Sequence, residues 1–433
     1  MKQKNITDMI MRLIPEPIYH HEDASLLSEA DYYGASRLVA EKLGLSDVPF
    51  SFAGWRHGWM HVPLKYVQQL TVWGKKDSHF LTAQEDHAYF LKQHGISATA
   101  VGMPFIYAEA IDNSLRIPNT LLVMPQHTLP YVPSVGDEEK YIQDIEKIRR
   151  DFDAVIFCIH HSCYEHGIWP ALLKKHNFPM IVGASASQTN AINRLQKIFS
   201  IFEFVTTNTI GSHLPYAAYC GTKVSIYGKY SDFSKYNFSQ DPFAIANPEL
   251  IDFDIKHSTE TYVKNLIPFM FCEHPKYAKE SVSWAQSELG LNNKKSAQEL
   301  AELLGWNNEE FQQKMRAVKL KRADNQRKET ILNDMLSMLS LAKKYKNNFA
   351  IYGAGNIGEK ILKILSLYDL RPICIFDKEY QSIQNISDIS VKDPNDIYGQ
   401  NLDAIIIASF AHSEDIESYI KEIDSRVVTW KTK

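Results

Sequence analysis

Phe349-Ala-Ile-Tyr-Gly-Ala-Gly-Asn-Ile-Gly358 is the stretch of this chain that specifies a local fold most clearly. Four apolar residues are typical of a short buried strand, the glycines allow a tight turn, and the pattern from Asn356 to Leu367 is that of a helix. A second apolar run, Pro372-Ile-Cys-Ile-Phe376, leads to Asp377, which lies 24 positions after Gly353. The pattern predicts a small parallel α/β unit of about four strands over residues 348–433.

The glycine spacing resembles the G-x-G-x-x-G turn of Rossmann-like nucleotide-binding folds. In those folds, glycines at the positions of Gly353, Gly355 and Gly358 let the backbone approach a pyrophosphate, and an acid placed like Asp377 binds ribose hydroxyls. Two interpretations stay open. The unit binds NAD or another small ligand, or it is an accessory domain that binds none.

A second α/β domain is predicted upstream, over residues 118–232. Five short apolar runs alternate with helical patterns there, and the links between them are short. Such alternation favours parallel strands joined by right-handed crossovers. The runs begin at Thr120, Ala154, Phe178, Phe204 and Val224.

Polar loops follow four of these strands. In open parallel sheets, ligands bind at the carboxyl ends of the strands, so we expect the loops to form one site. The loop between Thr206 and His213 combines hydroxyls, an amide and a glycine, which favours phosphate binding; the alternative is that Thr209 or Ser212 serves only as a helix N-cap. The candidate nucleotide-binding residues are Ser185, Ser187, Asn190, Thr207, Asn208, Thr209, Gly211, Ser212 and His213.

The N-terminal block, residues 1–117, also has a mixed α/β pattern. We predict a helix from Ser25 to Leu43, and strands at Pro49–Phe52 and Gln69–Trp73. Between these strands, Gly54-Trp-Arg-His-Gly-Trp59 places His57 as a candidate general base and Arg56 as a candidate anion ligand. His127 is the second candidate base. The alternative for the loop is an aromatic core corner with a satisfied histidine.

The remaining features exclude several classes of function. Residues 233–347 are predicted to be helical, with a long basic helix at about 308–346, yet the net charge of −4 gives no general attraction to nucleic acid. No run of about 18 apolar residues predicts a membrane span. His160 and His161 are adjacent and lack an acidic partner at ligand spacing, so no metal site is predicted.

Residues 118–232 resemble the nucleotide-binding C-terminal half of GT-B glycosyltransferases, such as bacterial enzymes that build capsule or lipopolysaccharide glycans. The resemblance lies in Phe204-Val-Thr-Thr-Asn-Thr-Ile-Gly-Ser-His213 and in Ala217-Ala-Tyr-Cys-Gly-Thr-Lys-Val-Ser225. GT-B enzymes have a comparable Ser/Thr-rich turn and Gly-x-Lys-Val stretch near the donor phosphates. The block ending in Gly102-Met-Pro-Phe105 then resembles the acceptor half.

The resemblance implies an α/β fold with a GT-B-like pair of Rossmann-like domains (1–117 and 118–232), a helical linker (233–347) and a small C-terminal Rossmann-like domain (348–433). It implies metal-independent transfer of a sugar from a nucleotide-sugar donor to a glycan or glycolipid acceptor, with no cofactor required. We expect a cytoplasmic protein. Peripheral association with the inner face of the membrane and formation of a homo-oligomer both stay open. The alternatives are an NAD-dependent nucleotide-sugar oxidoreductase or epimerase, and a non-catalytic scaffold in polysaccharide assembly.

Overall fold

The computed structural model describes residues 2–19, 28–71, 79–109, 112–128, 136–346, 348–409 and 412–431. The chain separates into two compact units, Met1–Met315 and Arg316–Lys433. Each unit is mixed α/β with mainly parallel strand pairs, which confirms the α/β class predicted from the sequence and is consistent with Rossmann-like folds.

The first unit opens with a small parallel sheet. Its strands are β1 (Gly54–Trp55), β2 (Phe80–Thr82) and β3 (Ala98–Ala100), in that order. The accompanying helices are α1 (Lys2–Leu13), α2 (Ala35–Lys42) and α3 (Glu85–Gln93).

The helix predicted from Ser25 to Leu43 is wrong over its first half, and residues 25–27 lie outside the described residues. Glu29–Gly34 is instead a 3₁₀ segment with a break, because Tyr33 (φ 58°) and Gly34 (φ 77°) adopt left-handed conformations. A Cβ on Gly34 would lie 1.9 Å from the carbonyl oxygen of Thr189. Only glycine therefore fits this close approach, and the regular helix begins at Ala35.

The two predicted N-terminal strands are also misplaced. Pro49–Phe52 forms no strand, and the first strand begins at Gly54. Gln69 ends a 3₁₀ turn, whereas Val72 and Trp73 lie outside the described residues. Neither segment has a long enough apolar run for its pattern to specify a strand.

The main sheet of the first unit has five parallel strands. They are β4 (Ile117–Met124), β5 (Ala154–Ile159), β6 (Met180–Val182), β7 (Phe202–Thr207) and β8 (Lys223–Ile226), in the order β6-β5-β4-β7-β8. Between them run α4 (Glu138–Ile148), α5 (His161–His166), α6 (Ile168–Lys175), α7 (Ala191–Ile201) and α8 (His213–Tyr219). The connections reverse direction between β4 and β7, which makes a topological switch point.

Both faces of the main sheet are buried. Leu121 and Val123 of β4 pack with Tyr141 and Ile145 of α4, whereas Leu122 belongs to the large core on the opposite face. Successive strand residues point to opposite faces, so a parallel strand covered on both sides is apolar throughout. This is why the strand runs were predictable.

Short helices follow the main sheet, and a long helix ends the series. They are α9 (Pro242–Ala246), α10 (Pro248–Ser258), α11 (Glu260–Leu266), α12 (Val282–Glu288), α13 (Ala297–Leu303) and α14 (Glu309–Lys344). The long helix matches the prediction, and the division between the units falls within it. Across the described ranges, no helix is both long and apolar enough to cross a membrane.

The second unit contains a six-stranded sheet in the order β11-β12-β10-β9-β13-β14. Its elements are β9 (Phe349–Tyr352), α15 (Asn356–Ser366), β10 (Ile375–Phe376), β11 (Asn385–Ile386), β12 (Ile389–Lys392), β13 (Ala404–Ile407), α16 (Ser413–Ile423) and β14 (Val428–Lys431). All pairs are parallel except β11 with β12. The β11–β12 hairpin was not predicted. Because β10 and β13 lie on opposite sides of β9, a second switch point falls between β9 and β13.

Candidate functional site

A cavity of about 490 Å³ lies in the first unit at the carboxyl ends of β4, β5, β6 and β7. It therefore includes the switch point, where open α/β sheets bind ligands. The structure brings the four polar loops together here. The lining includes Met124–His127, Ile159–His160, Gly183–Ala184 and Thr209–His213, with Tyr33, His57 and Gly58 from the N-terminal block.

Several polar atoms on this wall are buried and have no hydrogen-bond partner within the described residues. They are His57 Nδ1, Gln126 Nε2, Thr209 Oγ1 and His213 Nε2. An unpaired buried polar group costs about 1–3 kcal/mol, and folded proteins rarely leave one without a reason. Four such atoms around one cavity make it suited to a polar ligand.

Four histidines border the cavity. The rings of His127 and His160 are stacked obliquely, with centroids 4.8 Å apart. Burial lowers the pKa of His57, His160 and His213 to about 3 and lowers that of His127 as well. These imidazoles are therefore neutral at neutral pH, and none of the described residues that line the cavity is Asp, Glu, Lys or Arg.

Five of the nine predicted nucleotide-binding residues have structural partners instead of positions on the cavity wall. The side chain of Asn190 accepts from Ile18 N at 2.9 Å and donates to Glu16 O at 2.9 Å, so it anchors the N-terminal segment. Asn208 accepts from Gln126 N at 2.9 Å and donates to Lys229 O at 3.2 Å.

Thr207 is buried, and its hydroxyl accepts from Thr209 N at 3.3 Å. Ser185 and Ser187 bond to each other, with their hydroxyl oxygens 3.0 Å apart, and neither lines the cavity. The Ser/Thr-rich turn thus divides into residues that support the loop and residues that face the cavity.

Ser212 and Gly211 do lie on the wall. Ser212 Oγ accepts a hydrogen bond from Trp59 N at 2.9 Å, and it makes no side-chain cap on α8. Ser212 thus occupies the N-cap position of α8, as the alternative predicted, but its side chain does not cap the helix. Its hydroxyl hydrogen remains available to a ligand, because accepting a bond does not use it.

His57 reaches the cavity beside a residue that the sequence did not point to. The Glu29 carboxylate is 2% exposed, and its Oε1 lies 3.5 Å from His57 Nδ1. Burial raises the pKa of Glu29 to about 7, partly opposed by Arg56. No motif links Glu29 to His57; the sequence pattern only placed Glu29 in a helix.

Arg56 does not line the cavity, although we predicted that it could hold an anion there. Its Nε is buried without a hydrogen-bond partner in the described part of the chain. Its charge lowers the pKa of both Glu29 and Asp254, which burial otherwise raises. Arg56 therefore acts electrostatically on the carboxylates of Glu29 and Asp254.

The second unit has its own pocket, of about 710 Å³, at the switch point between β9 and β13. Gly353 and Gly355 line it, whereas Gly358 packs beneath, where a Cβ would lie 2.1 Å from Gly353 O. Asp377 accepts from Ala354 N at 2.6 Å and from Glu379 N at 2.8 Å. The acid expected to bind ribose thus holds the glycine loop.

Charge on this second pocket is mainly negative. Asp377, Asp393 and Asp415 lie on the wall with Lys378 as the cationic partner. Such a wall repels a pyrophosphate.

Within the described ranges, no group of three or more His, Cys, Asp or Glu side chains is placed to hold a metal ion.

Comparison with known proteins bears on the second unit alone. A family model described as "C2185-like, N-terminal" matches residues 345–427. The match covers β9 to α16 and does not reach the cavity of the first unit. None of the curated proteins matches this chain.

Proposed function

We propose that this chain is a glycosyltransferase that moves a sugar from a nucleotide-activated donor to a glycan or glycolipid acceptor. The observation that carries the proposal is that Gln126 Nε2, Thr209 Oγ1 and His213 Nε2, on the cavity at the ends of β4–β7, are buried without a hydrogen-bond partner among the described residues. The volume, about 490 Å³, suits a nucleotide-sized ligand. The apolar side of the wall offers Ile192, Leu195 and Phe199 to the base.

In the proposed reaction, the bond between the sugar carbon and the donor phosphate breaks while the acceptor hydroxyl oxygen bonds that carbon. His57 takes the hydroxyl proton, and His127 is the second candidate base. The leaving phosphate accepts hydrogen bonds from Ser212, His213 and Thr209, which stabilise its charge. No metal or cofactor takes part in this proposal.

The GT-B-like pairing belongs to the same proposal. Residues 1–117 would form the acceptor side, residues 118–232 the donor side, and residues 233–347 the helical linker. Its support is that His57, from the loop after β1, borders the same cavity as the ends of β4 and β7. A cytoplasmic enzyme acting on surface-glycan precursors at the inner membrane face would use this arrangement.

A transfer assay tests the proposal. Purified full-length chain is incubated with UDP-, GDP- and CMP-sugars and a panel of glycan and glycolipid acceptors. We expect one pair to give product, and His57→Gln and His213→Gln to lower kcat/KM by about 10²-fold or more. If both variants transfer sugar at the wild-type rate, the site is misplaced.

The rival function is an NAD-dependent nucleotide-sugar oxidoreductase that uses the glycine loop of the second unit. The pocket beside Gly353 and Gly355 favours it, and the acidic wall opposes it. This rival predicts NAD binding that Gly355→Val abolishes. A scaffold, the third alternative, predicts no turnover with any nucleotide sugar.

A further inference from the structure

His57 alone is a poor base for the reaction proposed above. Burial, with the nearby positive charge of Arg56, lowers its pKa to about 3. A base with so low a pKa is almost never protonated near neutral pH. General base catalysis is most efficient when the pKa of the base is close to the working pH. A second group must therefore keep the proton that His57 receives.

Glu29 is placed to do this. Its Oε1 lies 3.5 Å from His57 Nδ1, longer than a good hydrogen bond, and both carboxylate oxygens and that nitrogen are buried without a hydrogen-bond partner within the described residues. The segment carrying Glu29 is anchored by Ser28, whose hydroxyl donates to Ala53 O at 2.6 Å and accepts from Ala30 N at 3.2 Å. A buried carboxylate with no partner other than an imidazole is a costly arrangement that function can explain.

His57 is held from its other sides. The ring of Tyr33 packs on the imidazole with centroids 4.7 Å apart, and the hydroxyl of Tyr216 donates to His57 O. No hydrogen bond to His57 Nε2 is found in the described part of the chain, and the residue lines the cavity. The ring thus presents one nitrogen to Glu29 and leaves the other for a ligand.

We propose that Glu29 and His57 form a proton-sharing pair in which Glu29 stores the proton that His57 accepts from the acceptor hydroxyl. As Nε2 takes that proton, the proton on Nδ1 moves to Glu29 Oε1, so the imidazole stays neutral and the carboxylate becomes a carboxylic acid. Glu29 is a positioning and proton-storing residue, and its role in transfer rests on the proposed function.

The ionisation of Glu29 fits this role. Burial raises its pKa to about 7, so the carboxylate is ready to accept a proton near neutral pH. Among the described residues, the charged and titratable groups around the pair are Arg56, Tyr32, Tyr33 and Tyr216. Because the two groups are coupled, the midpoint belongs to the pair.

The test begins with the wild-type chain and no substrate. Carbon-13 NMR of carboxyl-labelled glutamate should reveal one carboxyl that titrates near pH 7, assigned by its absence in Glu29→Gln. The His57 ring resonances should follow the same midpoint and lose that step in Glu29→Gln. Wild-type glutamates that all titrate near the ordinary value, or His57 resonances unchanged by Glu29→Gln, would overturn the pair.

Kinetics then test its use in catalysis. The amide of Glu29→Gln keeps the shape but cannot store the proton, so kcat should fall by about 10²–10⁴-fold and the limb near pH 7 should vanish from the pH profile. Glu41→Gln, an exposed carboxylate paired with Arg37, is the matched control and should behave as wild type. An unchanged pH profile in Glu29→Gln overturns the proposal. If the wild type transfers no sugar although the NMR titration is present, the proposed function fails and the role in transfer falls with it, whereas the proton-sharing pair is upheld.

Discussion

Burial of the Glu29 carboxylate should make the stability of the first unit depend on pH in a specific direction. Its pKa is raised from 4.5 to about 7, so the folded state binds a proton that the unfolded state has already released across this window. Stability from this group is therefore present below pH 4.5 and is lost as pH rises through 7. Each pKa unit is worth about 1.4 kcal/mol, which gives about 3 kcal/mol for the full window.

Glu29→Gln removes this dependence, because an amide does not ionise. Relative to wild type, the variant should gain about 2–3 kcal/mol of unfolding free energy between about pH 5 and about pH 8. Urea unfolding followed by tryptophan fluorescence measures this difference as a shift in the urea concentration at the midpoint, provided that the dependence of the unfolding free energy on urea stays the same. Six of the seven tryptophans lie within Met1–Met315, so the signal reports mainly on that unit.

Glu41→Gln is again the matched control, since its exposed carboxylate carries no such penalty. Its difference from wild type should stay the same at both pH values. If the difference between Glu29→Gln and wild type is also independent of pH, Glu29 is not a buried carboxyl of raised pKa, and the argument for its partnership with His57 fails.

Three further predictions concern single residues. Thr209→Val removes a buried hydroxyl that has no hydrogen-bond partner among the described residues, so it should raise the unfolding free energy by about 1 kcal/mol. Thr207→Val loses a hydrogen bond and should lower the unfolding free energy by about as much, both measured by urea unfolding. Burial lowers the pKa of His160 to about 3, so below pH 6.5 the unfolded chain binds a proton that the folded chain does not, and the wild type loses stability. His160→Gln should remove up to about 2 kcal/mol of this loss of unfolding free energy at pH 5. An unchanged acid limb in the unfolding curves would contradict this. Gly358→Ala should destabilise the second unit by about 1–3 kcal/mol, because the added Cβ would collide with the backbone of the glycine loop. Gly355→Ala should not, because a Cβ there has no atom within 4 Å. Trp430 fluorescence during unfolding measures both, and equal effects would refute the packing argument.

The central strands of the five-stranded and the six-stranded sheet could be predicted because they are buried on both faces. Ala154–Ile159 is apolar at every position, and β5 has those same bounds. The hairpin of β11 and β12 could not. Its two-residue turn, Ser387-Asp388, holds both residues at positive φ (49° and 61°) without the Asn-Gly sequence that usually signals such a turn.

The same contrast holds at the candidate site. The convergence of four polar loops followed from the rule that parallel strands end at one edge of a sheet. The contact between Glu29 and His57 did not follow from any local pattern. It depends on the break at Tyr33 and Gly34, which the approach of Thr189, a residue far along the chain, imposes on what would otherwise be helix.

The central claim is that the cavity at the ends of β4–β7 binds the nucleotide of a sugar donor. Isothermal titration of the full-length chain with UDP-, GDP- and CMP-sugars tests it directly, with Thr209→Val and Gly355→Val as paired variants, one in each pocket. We predict that one nucleotide class binds, that Thr209→Val weakens its binding by about tenfold or more through one lost hydrogen bond to a charged phosphate, and that Gly355→Val leaves it unchanged. Binding that survives Thr209→Val and disappears in Gly355→Val would contradict the claim and assign the nucleotide to the second unit.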